Sequence, residues 1–171
     1  MIQTVWRIML LSVVVLAASP ALLVSEDARP TTAPKDPKVV LLGLIRRANA
    51  LEKAKKDDEA IAEYTKIVKI SSEAYGPKAH ETATFTNNLA ALHANIGKFD
   101  LAEPLYLQSI KIDEEALGKE DPSVAGTMCN LAMMYVSAGK PDKALPVYKR
   151  SLWIYRAKFG RKHVKAAAVL D

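Results

Sequence analysis

The chain has 171 residues, half of them apolar and 25% charged, with a net charge of +5. That supplies one packed domain plus appendages and excludes a disordered chain. The small positive balance favours acidic partners without marking a nucleic-acid binder. A single cysteine, Cys129, excludes an internal disulfide framework.

The first thirty residues, MIQTVWRIMLLSVVVLAASPALLVSEDARP, carry one early cation, Arg7, then an apolar run from Ile8 to Ala18 and the small residues Ser19 and Ala21. That layout predicts a secretory signal peptide over residues 1–21, cut after Ala21, and hence an exported, periplasmic or secreted protein. The alternative is an uncleaved anchor spanning Ile8 to Val24, interrupted by Pro20, that tethers the chain to a membrane. Residues 22–37, with Pro30, Pro34 and Pro37 and no helical period, read as a flexible tether.

From about residue 38 the chain repeats itself every 42 residues. NLAALHANIGKFDLAEPLY at 88–106 returns as NLAMMYVSAGKPDKALPVY at 130–148. A fainter upstream copy places Ala60, Tyr64 and Gly76 in register with Ala102, Tyr106 and Gly118. Three units at one period mark a repeat array, read as 41–82, 83–124 and 125–166, with a partial helix at 164–171 acting as a cap. Each unit reads as two helices. Phe85, Leu89, Leu92 and Ile96 recur at helical spacing and Gly97 ends that helix. A second helix then runs from about Asp100 to Leu117 and stops at Gly118. Small residues (Ala90, Ala102, Ser109) fall where the two helices cross, with Tyr106 filling the gap beside them. Two features depart from the pattern in the first unit: Arg47 replaces Leu89 and Leu131, and Lys55 replaces the turn glycine, leaving that hairpin turn in question. Pro141 is expected to open the last helix and Pro146 to kink it.

The small, aromatic and glycine columns, with NNLA at 87–90, AEPLY at 102–106 and ALGKEDPSVA at 116–125, resemble the long tetratricopeptide repeats of kinesin light chains and their bacterial relatives. The resemblance covers about residues 39–171. It implies an all-α, right-handed α-solenoid of about three helical hairpins whose first helices line a concave groove. It also implies a peptide-binding column at Arg46, Asn88 and Asn130, followed by Asn49, Ala91 and Met133, then Lys53, Asn95 and Ser137. An amide suits such a column because it pairs with a peptide N–H and C=O at once. The competing reading of Asn88 and Asn130 is that they bond neighbouring helices. A carboxylate clamp of the chaperone-binding kind is not expected, since Ile45, Gly126 and Asn130 fill its cationic places.

Reaction chemistry finds no support in the sequence. His80, His93 and His163 form no metal-ligand pair, and no phosphate-binding loop occurs. His93 shares a column with Leu51 and Tyr135 and reads as a packed core residue. His80 and His163 read as polar loop or capping residues. Cys129 reads as a small buried residue, and Met128, Met133 and Met134 as packing. No cofactor, metal or nucleic acid is expected. The cations from Lys140 to Lys165, among them Lys149, Arg150, Arg156, Lys158, Arg161 and Lys162, face a single acid, Asp142. A solvated outer face is the plain explanation. An anionic membrane surface or an acidic partner is the functional one. Trp153 and Tyr155 lie among them and offer an anchor for a partner or a second copy. The leading reading is therefore an exported, non-enzymatic adaptor that binds a protein or peptide in its groove. The second is a membrane-proximal assembly or oligomerisation element using the basic C-terminal hairpin, and the third an enzyme with an unrecognised site.

Overall fold

The computed structural model describes residues 36–160. The leader or anchor, the tether up to residue 35, the partial helix at 164–171 and Arg161, Lys162 and His163 lie outside the described residues.

Among the described residues there are six helices and no strand: α1 Pro37–Lys53, α2 Asp57–Tyr75, α3 His80–Asn95, α4 Phe99–Leu117, α5 Pro122–Ser137 and α6 Pro141–Phe159. Pro37 belongs to α1 and not to the tether. The Asp36 carboxylate accepts from the Lys38 amide at 2.9 Å, and proline occupies the first helical turn where its missing N–H costs nothing. Asp121 repeats the device ahead of α5, accepting from the Ser123 amide at 2.8 Å. α6 opens at Pro141 as expected and runs through Pro146 to Phe159.

Consecutive helices pair into three hairpins, α1/α2, α3/α4 and α5/α6, and the hairpins stack through α2 on α3 and α4 on α5. This is an all-α solenoid. The first helices of the second and third hairpins, α3 and α5, also approach each other directly, whereas α1 and α3 do not.

All three hairpin turns are made the same way, and the doubt over the first is resolved. Lys55 takes φ 59°, in the left-handed region occupied by Gly97 (76°) and Gly139 (70°). The Lys56 amide reaches back to the Leu51 carbonyl at 3.0 Å, as the Lys98 amide does to His93 (2.9 Å) and the Lys140 amide to Tyr135 (2.8 Å). The backbone imposes the turn on a residue that is strained in it.

The columns of small residues set the crossings. Ala48, Ala90 and Ala132 on the first helices, and Ala60 and Ala102 on the second, are fully buried. Ser109 donates to the Ala83 carbonyl and Ser151 to the Ala125 carbonyl, each at 2.8 Å, tying second helix to first across the closest approach. Two apolar clusters result. Leu41, Ala48, Ala60, Tyr64, Ile67, Leu89 and Leu92 form one across α1, α2 and α3. Ala90, Tyr106, Ile110, Met128, Leu131, Tyr135 and Ile154 belong to the other, across α3 to α6. Helix α3 feeds both, because Leu89 and Leu92 face one side and Ala90 the other.

Candidate functional site

The approach of α3 to α5 brings their asparagines together. The Asn130 side-chain amide donates to Asn87 Oδ1 at 3.1 Å, and Asn87 in turn donates to Asn88 Oδ1 at 3.4 Å. Side-chain carbonyl and amine thus alternate from one first helix to the next, leaving the Asn130 carbonyl and the Asn88 amine as the two ends of the run. Two recesses flank it and share Asn130. One, of about 440 Å³, is lined by His80, Thr84 and Asn87 of α3, Ser123, Thr127 and Asn130 of α5, with Asp113 of α4 and Tyr155 of α6. The other, of about 330 Å³, is more apolar and is lined by Ala91, Asn95, Phe99, Tyr106, Met133 and Ser137.

Two overlapping stretches, residues 40–115 and 81–157, match the tetratricopeptide repeat family. The chain belongs to that family. Tetratricopeptide repeats are protein-interaction scaffolds, and the fold is typically non-catalytic. BtubC (BKLC) from P. vanneervenii shares the fold, with a TM-score of 0.64 and 23% identity over 83% of this chain. The aligned region spans 65% of BtubC. Comparison with curated proteins gave no sequence match.

Of the candidate groove residues, Asn130 lines both recesses, Asn95 and Met133 line the second, and Asn88 lines neither but accepts from Asn87. The helix-bonding reading holds for Asn130, whose amine bonds the neighbouring first helix, while its carbonyl accepts none of the described hydrogen bonds. Met133 is exposed, whereas Met128 and Met134 are buried packing, as expected of them. The first hairpin stands apart. Arg46, Asn49 and Lys53 on α1 line neither recess. Asn49 is engaged elsewhere, accepting from the Tyr64 hydroxyl at 3.0 Å, and burial and the nearby Glu52 push that phenol up to about 12.

Several residues behave differently from their sequence reading. His80 is no mere loop or capping residue: its Nδ1 lies 2.8 Å from Asp113 Oδ1, at the floor of the larger recess. The Asp113 side chain is 3% exposed. Burial pushes its carboxyl above the usual range, and the hydrogen bond to His80 pulls it partly back. No repeat signal marked Asp113, since its column holds Ser71 and Tyr155. The one available clue was an acid at a helical position flanked by buried apolar residues. His93 is half-buried, and its Nδ1 is enclosed without a hydrogen-bond partner. Burial, reinforced by Lys98, lowers its pKa. Cys129 is half-buried with Sγ 3.0 Å from Ser151 Oγ, and burial raises its pKa, so the thiol is held in its unreactive form.

The basic run does not form one free cationic face. Arg150 pairs with Glu114, and Lys143 reaches Glu103 at 3.3 Å. Glu103 also accepts from the Tyr135 hydroxyl at 2.8 Å, which holds its carboxyl below the usual range. Arg156 is half-buried with its Nε enclosed, while Lys149 and Lys158 are exposed. Tyr155 is buried and stacked on Phe159 at a centroid distance of 6.2 Å, so it is no surface anchor; Trp153 is exposed.

Proposed function

We propose that this chain is an exported, non-enzymatic adaptor that captures an extended or helical peptide segment of a protein partner along the face formed by α3 and α5. The observation that carries the reading is the Asn130–Asn87–Asn88 run with a recess on either side. The amides fix one another's orientation, so a bound backbone meets a donor and an acceptor already in place and little side-chain freedom is lost on binding. The two recesses differ in lining, the first holding hydroxyls, amides and the His80–Asp113 pair and the second more apolar side chains, which lets side chains on either side of the bound backbone be told apart. This face gains support over the basic hairpin as the docking surface because Arg150 and Lys143 are spent on Glu114 and Glu103. Export rests on residues 1–21 and is tested by sequencing the N-terminus of the protein recovered from the exported fraction.

The groove is tested by panning a displayed library of random peptides on the full chain and on a variant carrying Asn88→Ala with Asn130→Ala. Both side chains are part-buried, so the paired variant is first checked for an unchanged helical spectrum and cooperative melting. Retained peptides are expected to lose about tenfold or more in affinity for it. Equal affinity for both proteins overturns the assignment.

A further inference from the structure

The larger recess is not neutral ground. Its floor is the Asp113 carboxylate, buried in the fold yet reaching the recess wall, with one oxygen held by His80 at 2.8 Å. An ionised carboxylate accepts and does not donate, and a desolvated one is stabilised by each additional donor or cation brought to it. The lining contains no lysine or arginine. What surrounds the acid is a set of acceptor-capable groups: the hydroxyls of Thr84, Ser123 and Thr127 and the uncommitted carbonyl of Asn130. Thr84 already gives its proton to the His80 carbonyl at 3.0 Å, so it faces a ligand as an acceptor. Asp121, in the connection before α5, raises the proton affinity of Asp113 further, which means its charge adds to the negative potential there. At about 440 Å³ the recess has room for the head of an organic cation.

We propose that the recess floored by Asp113 and His80 seats the cationic side chain of a lysine or arginine in the captured segment. The inference rests on the groove reading above and adds the chemistry of one of its subsites. The ammonium or guanidinium donates to the free oxygen of Asp113 and to the Asn130 carbonyl and threonine hydroxyls, while the segment's backbone lies over the amide run. The positive net charge of the whole chain does not oppose this, because at contact distance the nearest charges dominate and more distant ones are screened within about 10 Å. Nor do the exposed cations of α6 reach the lining.

The test uses the peptides retained by the full chain from the random library. They are expected to share a lysine or arginine at one position in register. Changing that residue to glutamine weakens binding to the unaltered protein about tenfold. Against Asp113→Asn the two peptides bind alike, because the carboxylate that told them apart is gone. Asn preserves an acceptor for His80 and removes a desolvated charge, so this variant is expected to melt no lower than the parent. Asp113→Ser, which carries the residue found at the same column in the first hairpin (Ser71), gives a second route to the same comparison, and Asp100→Asn on the exposed side of α4 is the control. Retained peptides with no basic position overturn the proposal, as does a glutamine penalty that persists in both Asp113 variants. If such peptides still depend on Asn88 and Asn130, only the cation subsite falls. If the library yields no ligand at all, the groove reading falls and takes the subsite with it.

Discussion

The two junctions between hairpins are built on the same columns and solve the packing problem differently. Between the second and third, α3 touches α5, leucine fills the Leu131 position, and the polar contacts are amides and ion pairs that lie around a continuous apolar cluster. Between the first and second, Leu89 fills the same column and is buried, but α1 stays away from α3. A polar pair enters the interior there, Ser71 and Thr82 with their hydroxyls 3.1 Å apart, and within the first hairpin itself Glu63 is buried with Arg47 and Lys66 both on one oxygen and the other oxygen unpartnered. A repeat array is stable through its neighbour interfaces. The difference teaches that one sequence period can specify two interfaces of similar extent, one that also brings the first helices together and one that does not. It also explains why the candidate site draws on α3 and α5 and not on α1.

The strongest way to break this comparison is to truncate the shared column. Leu131→Ala empties a site that is 2% exposed and is expected to cost about 2–5 kcal/mol in urea unfolding. Leu89→Ala, its counterpart at the first junction and 6% exposed, is expected to cost less, since α1 gives α3 no direct support there. Similar costs at the two sites would end the distinction. Next comes the buried hydroxyl pair: Thr82→Val, which copies Val124 of the third hairpin, strands Ser71 and the Gly76 carbonyl, and should lower stability by about 1 kcal/mol or more. Neutrality there would mean the junction is not held by hydroxyls. In the opposite direction, Lys55→Gly relieves left-handed backbone strain and should raise stability by about 1 kcal/mol, with Gly139→Ala expected to lower it.

The smallest effect is with pH. His93 sits where the third hairpin has Tyr135, and its folded pKa lies below the ordinary 6.5 because burial and Lys98 disfavour the charged ring. The folded state therefore binds fewer protons than the unfolded one near that pH. Its contribution is complete above about 6.5 and is lost as pH falls through that value towards the folded pKa. Cooling the comparison to one number, the drop in melting temperature between about pH 7.5 and about pH 5.5 should shrink in His93→Tyr. An unchanged drop would assign the acid sensitivity elsewhere.

The period, the second and third hairpin turns, the crossing residues and the family were all legible in the chain, because each is a local or periodic signal: alanine where backbones must approach, glycine after a helix end, leucine at helical spacing. That Asn88 and Asn130 hold equivalent places on α3 and α5 follows by the same route, since a repeat aligns its own faces. The pairing partner was not legible: Asn130 bonds Asn87, one residue away from the column that the repeat pattern picks out. Asp113 was invisible because its column holds a serine, an acid and a tyrosine in turn. The pairing of Arg150 was not legible either, because charge counted along a sequence says nothing of Glu114 on the neighbouring hairpin.

By itself, then, the sequence determined that helical hairpins of one length stack in fixed register, since that follows from where small and large apolar side chains recur. The tertiary structure alone decided which polar groups meet: the amide run, the His80–Asp113 floor and the ion pairs that absorb Arg150 and Lys143. The physical reason is range. Burial and backbone propensity act on each residue where it stands, whereas a hydrogen bond or ion pair needs two side chains within about 3 Å, and only the stacking of α3 on α5 and α4 beneath them sets those distances.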